Sequence, residues 1–319
     1  MPNERSDRLD DAEHAEAAGD IPRAIALLEE LVRSSPNDAR SRTWLAKLYG
    51  DREQFAAAFD MIERAIALEP KRGRGYAVLG ELLLTQRRYE EATAAFHQAL
   101  KFAKTSPTLV MLGVALGELG LSAAAQEAFE GALVVDSENV EAMYNLAIET
   151  RTTSPKRATE LLESAVRIDP LYSEAYRELG IIYSVSGEYT RAEHALRTSL
   201  ALDGSDPTTY VYLGNLMASA QNLPAAEAAF MEASELSPLY SPAQWGLAQV
   251  YEHEGRYAEA AALFRRAVEL DSANPEPMFQ LGRFLVGRGQ LAEAKKWTER
   301  ALAISPTHEE ALALRRSLP

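Results

Sequence analysis

Residues 241–272 read SPAQWGLAQVYEHEG followed by RYAEAAALFRRAVELDS. Apolar residues recur three and four apart in both halves, as in Leu247, Val250 and Tyr251 and then Ala260, Phe264 and Ala267. That spacing is a helical period and not the alternation of a strand. Gly255 ends the first half by permitting a left-handed C-cap. The stretch therefore predicts two helices joined by a tight turn. Small residues at Ala260 and Ala267 allow the two backbones to approach closely, and the bulky Phe264 fills the gap beside them.

Working outward, the same pattern returns along the whole chain. One alanine series runs Ala24, Ala58, Ala92, Ala125, Ala158, Ala192, Ala226, Ala260 and Ala294, in steps of 33 or 34 residues. A small residue sits seven further on: Ala65, Ala99, Ala132, Ala165, Ser199, Ala233, Ala267 and Ala301. A bulky residue sits four after the first series: Leu28, Ile62, Phe96, Phe129, Leu162, Leu196, Phe230 and Phe264. Pairs such as Leu79-Gly80, Leu112-Gly113, Leu179-Gly180 and Leu213-Gly214 keep the same phase on the first helix of each unit. Self-similarity at this period marks a stacked repeat architecture.

The spacing and residue types resemble the tetratricopeptide repeat. Tyr176, Leu179, Gly180, Tyr183, Gly187, Tyr189 and Ala192 match its signature in the sixth unit, as do Leu247, Tyr251, Gly255, Tyr257, Ala260, Phe264 and Ala267 in the eighth. The resemblance implies an all-α fold, a right-handed α-solenoid superhelix of antiparallel helix pairs. It covers nine units over about residues 5–306, with HEEALALRRSLP (about 307–318) as a closing helix, and the chain reads as a single solenoid over 1–319. Departures mark particular places. Unit one has Asp11 where later units have Leu, and Leu31 where they have Ala, as suits a terminal repeat whose outer side faces water. Unit nine has Trp297-Thr298 at the bulky position, and unit five shortens its inner turn at Thr152–Pro155.

Composition narrows the function. The 319 residues are 47% hydrophobic and 25% charged, so the chain can bury a large core. Cysteine is absent, which excludes disulfides, thiolate nucleophiles and cysteine-ligated metals. A net charge of −14 repels phosphate backbones and argues against nucleic-acid binding and against attachment to anionic lipid. The charged start, MPNERSDRLDDAEHAEAAGD, is not a secretory leader, and no apolar run is long enough for membrane insertion. A cytoplasmic protein is expected.

Chemistry-bearing motifs are absent. His14, His97, His194, His253 and His308 lie in different units, none at metal-ligand spacing with another, so no metal is expected. The glycines Gly73, Gly75 and Gly80 have the wrong spacing for a phosphate loop. Acidic pairs such as Glu29-Glu30 and Glu90-Glu91 read as helix-dipole partners and solvated surface. The chain is read as not an enzyme, with no cofactor.

The resemblance implies that the first helix of each unit lines an inner, concave groove. Its inner positions fall on Arg40, Trp44 and Lys47 in unit two, Arg74, Val78 and Glu81 in unit three, and Met111 and Val114 in unit four. In later units they gather aromatic and amide residues, and ten are taken as the partner-binding set: Tyr144, Asn145, Ile148, Arg177, Tyr212, Asn215, Trp245, Gln249, Phe279 and Arg283. These rings are surplus to the packing series, and exposed aromatics beside Arg and Asn are typical of binding hot spots. An asparagine can pair with both the N–H and the C=O of an extended peptide. The family's clamp for chaperone carboxylate tails requires a Lys/Asn/Arg set that no three successive units supply. The expected function is a non-catalytic scaffold holding a peptide segment or partner protein in the groove. The rivals are a self-associating structural scaffold and a regulatory or recruiting subunit of a separate enzyme.

Overall fold

The computed structural model describes residues 2–319, with side chains from Arg8 onward, so the opening side chains of the first repeat (5–7) lie outside it. The chain divides into two compact units, Met1–Ile168 and Asp169–Pro319. In the first, helices pair in order: α1 (Pro2–Ala17) with α2 (Ile21–Ser34), α3 (Ala39–Asp51) with α4 (Phe55–Leu68), α5 (Gly73–Thr85) with α6 (Tyr89–Phe102), α7 (Ser106–Glu118) with α8 (Ser122–Val135), and α9 (Val140–Thr150) with α10 (Pro155–Ile168). In the second, α11 (Ser173–Val185) pairs with α12 (Tyr189–Leu202), α13 (Pro207–Ser219) with α14 (Leu223–Leu236), α15 (Ser241–His253) with α16 (Tyr257–Leu270) and α17 (Pro275–Gly287) with α18 (Leu291–Ile304), and α19 (Glu309–Ser317) closes the end. No strand occurs among the described residues. Each unit is thus an α-solenoid of helix pairs, as the repeat predicts.

Within each unit the second helix of a pair packs on the first helix of the next, and successive first helices also touch, as α3 does α5 and α13 does α15. The first helices therefore form a layer of their own, and their remaining side presents the inner face. Short polar residues start many of them. The side chains of Asp38, Asn139, Asp206 and Asn274 accept from first-turn N–H groups of α3, α9, α13 and α17. Left-handed residues end them: Gly120, Gly187, Gly255 and Gly289 among others, but Glu53, Arg87 and Gln221 at the same repeat position. In unit five α9 is cut to 11 residues, and Ser154 N–H closes on the Thr150 carbonyl at 2.7 Å, so the shortened turn read from Thr152–Pro155 is real.

The alanine series is fully buried, and every bulky residue from Leu28 to Phe264 is at most 2% exposed. Close approach explains the Leu-Gly pairs. A Cβ on Gly113 would lie 2.5 Å from the Phe129 ring. The Phe230 ring sits against both Gly214 of its own pair and Gly246 of the next, so one side chain ties successive repeats together. In unit nine Thr298 takes the bulky site, fully buried with its hydroxyl donating to the Ala294 carbonyl at 2.8 Å. Trp297 lies half-buried beside it. In unit one Leu31 is buried and Asp11 exposed, as a terminal repeat requires.

Candidate interaction surfaces

In the C-terminal unit, α13 begins at Pro207, whose missing N–H suits a first helical turn, and Asp206 caps it. The helical period then places Tyr212, Asn215 and Ser219 on one face, and Ile181, Ser184 and Val185 on the matching face of α11. With Tyr189 and Leu216 they line a pocket of about 200 Å³. Its walls leave apolar surface in water: Val185 is 86% exposed, Tyr189 57% and Tyr212 36%. The Asn215 amide makes no hydrogen bond to a described residue. The inner-position reading anticipated Tyr212 and Asn215. It did not single out Val185, although that residue falls at an inner position, or Tyr189, which opens the second helix and had served only as a signature match.

Further along, α15 and α17 present a chain of polar contacts. Gln249 Nε2 donates to Gln280 Oε1 at 3.0 Å, Arg283 Nε donates to the same oxygen at 3.1 Å, and Arg283 Nη2 reaches Glu252 at 3.3 Å. Trp245 and Phe279 are half-buried against the core formed by Met278, Leu281 and Leu285, and Phe279 lies 5.2 Å from the His308 ring. These two rings are therefore not surplus to packing as the sequence pattern implied. The last repeat is closed by a short helix, and large side chains at the inner positions complete its core.

Arg177 is also engaged within the protein. Its guanidinium donates to Asp206 at 2.9 Å and lies 3.7 Å from Glu178. Burial alone would raise the Asp206 carboxyl, but the Thr209 hydroxyl, Arg177 and the Thr208 N–H hold it below the usual carboxylate range. Arg177 thus steadies the start of α13.

In the N-terminal unit, Tyr144, Asn145 and Ile148 lie half-buried on α9, and Asn145 donates to the Glu141 carbonyl at 2.8 Å. A larger pocket, about 300 Å³, lies nearer the chain's start. Glu13 and Glu16 of α1, Arg40, Thr43, Trp44 and Lys47 of α3, and Arg72 and Arg74 at the start of α5 line it. The Trp44 indole N–H donates to Glu16 Oε2 at 2.6 Å. Arg40, Trp44, Lys47 and Arg74 fall at inner positions of units two and three, and Glu13 and Glu16 at the equivalent places of unit one, all outside the ten-residue partner-binding set. The signal in the sequence is an arginine at the second position of two consecutive units, Arg40 and Arg74, with Lys47 at the ninth position of the first of them. Among the described residues no group of acidic or histidine side chains is arranged to hold a metal ion, and no helix is long and apolar enough to cross a membrane.

Comparison with known proteins agrees with this architecture. Tetratricopeptide repeat models match residues 252–318 and, in a second version, 110–148, 178–241 and 208–275. A model described as anaphase-promoting complex, cyclosome, subunit 3 matches residues 17–99. The TPR repeat-containing protein YpiA of Bacillus subtilis (strain 168) is 24% identical over 294 residues, covering 92% of this chain and 62% of that protein. The chain thus spans less than two thirds of the length of the curated relatives it matches. Among solved structures, the APC/C hetero-tetramer Cut9-Hcn1 superposes with a TM-score of 0.64 at 16% identity, over 92% of this chain and 58% of that one. A tetratricopeptide repeat protein from Parabacteroides merdae ATCC 43184 superposes with a TM-score of 0.65 at 16% identity, over 76% of this chain and 97% of that one. At these identities the structures speak to the fold.

Proposed function

The chain belongs to the tetratricopeptide repeat family, and from that premise we propose that it is a non-catalytic scaffold whose C-terminal unit holds an extended segment of a partner protein on its inner face. Repeats of this kind are protein-interaction scaffolds. The observation that carries the reading is the pocket between α11 and α13, where Val185, Tyr189 and Tyr212 leave apolar surface in water beside the open Asn215 amide. An apolar side chain of the partner enters this pocket. Asn215 then offers a donor and an acceptor to the partner's backbone, which fixes its register. Gln249 and Arg283 exchange their contacts with Gln280 for contacts with the partner, and Trp245 and Phe279 supply the flat wall next to them.

A ring buried at the centre of an interface contributes about 2 kcal/mol or more. Tyr212→Ala is therefore expected to abolish capture of the partner in a pull-down while leaving the melting curve within about 1 kcal/mol of wild type. Trp245→Ala is expected to weaken capture and also to destabilise the fold by about 2 kcal/mol, since its ring leans on the core. Capture undiminished by Tyr212→Ala would refute the pocket as the contact. Light scattering across a concentration series identifies the occupant as a second copy if the mass rises in wild type and not in Tyr212→Ala.

A further inference from the structure

The chain carries 47 acidic residues against 33 basic ones, so its cations have partners in excess. Most arginines take them. Arg88 pairs with Glu91, Arg157 with Glu130, and Arg256 with Glu227, Glu254 and Glu259. Scattered cations such as Arg23, Arg52 and Lys104 have no such partner among the described residues, and around the pocket of the N-terminal unit three of this kind line one cavity. Arg40, Lys47 and Arg74 make no side-chain hydrogen bond or ion pair with a described residue, although Glu13 and Glu16 line the same pocket. Burial pushes the Glu81 carboxyl up, and Arg74 and Lys47 counter this only from a distance. The first turn of α5 adds to the local positive potential, because its cap residue, Arg72, contributes no side-chain acceptor. Beside these cations Trp44 is half-buried, its indole held in place by Glu16.

We infer that this pocket is a second binding site, for an acidic segment of a partner protein whose carboxylates pair with Arg40, Lys47 and Arg74 while an apolar side chain covers the Trp44 ring. A single exposed ion pair is worth little, so the ligand must engage several cations together, which a small anion does not. A nucleic acid would meet the carboxylates of Glu13 and Glu16 and the −14 charge of the whole chain. The site is separate from the Tyr212 pocket and does not rest on it.

The test uses the full chain and a fluorescein-labelled decapeptide carrying aspartates, glutamates and two leucines, read by anisotropy, with a lysine-for-acid counterpart as control. Wild type is expected to bind the acidic peptide, more weakly as salt rises, and not the basic one. Arg40→Glu/Arg74→Glu is expected to lose about tenfold or more in affinity. Both residues are exposed, so its melting curve should match wild type. Trp44→Phe, which keeps a ring, should bind more tightly than Trp44→Ala. Tyr212→Ala should bind as wild type does, which separates this site's failure from that of the C-terminal one. Equal affinity in the charge-reversed variant, or equal affinity for the basic peptide, would overturn the inference. So would displacement of the peptide by a single-stranded oligonucleotide, which would reassign the cations to phosphates.

Discussion

At the residue that precedes the first helix of a pair, unit three carries Arg72 and unit seven carries Asp206. The Asp206 carboxylate accepts from the Thr208 and Thr209 N–H groups, takes the Thr209 hydroxyl at 2.6 Å, and pairs with Arg177. Arg72 offers α5 no such cap and turns to Glu69 at 2.7 Å instead. Two residues on, Arg74 stands where the later unit has Thr208. One helix start is neutralised and built into the fold, and the other is open and positive. The difference teaches where a repeat can vary. Positions that set the distance between helices admit only small residues or one bulky one, whereas those on the inner face answer to whatever they meet outside the protein.

The sharpest break of this comparison lies in the part the two regions share. Ala92 and Ala226 are both fully buried at the same repeat position. Ala92→Leu and Ala226→Leu are each expected to cost about 1–3 kcal/mol through overpacking, measured as a shift in the urea midpoint. Glu90→Gln, two residues away in an exposed position, should change stability by less than about 0.5 kcal/mol. A large cost in one unit and none in the other would show that the two solenoids do not pack their repeats alike.

This division also explains what could be read from the chain alone. The alanine, Leu-Gly and bulky series are packing constraints that recur from unit to unit, so they stand out at once and determine the helices, their pairing and the core. The inner face carries no such repetition. Tyr212 and Asn215 were legible by phase alone, because a fixed offset from Gly214 places them on the open side of α13. Trp245 and Phe279 stand one position earlier in their units, three residues before Ala248 and Gly282, and they lean on the core, because what a ring touches depends on the neighbouring repeat and on α19. The free cations at Arg40, Lys47 and Arg74 depend on which carboxylates reach them, and sequence spacing does not encode that reach.

A smaller effect tests the two helix starts directly. Asp206→Ala removes a cap and its ion pair with Arg177, at an expected cost of about 1–2 kcal/mol near neutral pH. Because the folded Asp206 carboxyl sits below its ordinary range, its contribution is present above the unfolded carboxylate pKa and is lost as pH falls through the folded value. The wild-type advantage over Asp206→Ala should therefore shrink in acid. Arg72→Asp should do the reverse at α5, adding a cap worth about 0.5–1 kcal/mol while weakening the acidic peptide's binding. A variant that gains stability and keeps the peptide would remove Arg72 from that site.

The smallest expected effect concerns the turns between paired helices. Outside the shortened turn of unit five, each is closed by one left-handed residue, glycine at Gly120, Gly187 and Gly255 but Arg87 in the N-terminal unit and Gln221 in the C-terminal one, at φ of 59° and 61°. A side chain in this conformation costs about 1–2 kcal/mol, and glycine returns about 0.5–1 kcal/mol of that through the greater freedom of its unfolded chain. Gln221→Gly should therefore stabilise by about 0.5–1 kcal/mol in urea melts. Arg87→Gly should gain less, because Arg87 Nε donates to the Tyr89 hydroxyl at 3.1 Å and that contact disappears. Both turns point away from the core, so neither change should alter binding at either face. Equal gains would show that the Arg87–Tyr89 contact contributes nothing in solution. A loss at Gln221 would mean that its left-handed backbone is held by something other than the turn itself, and that the two units close their repeats by different means.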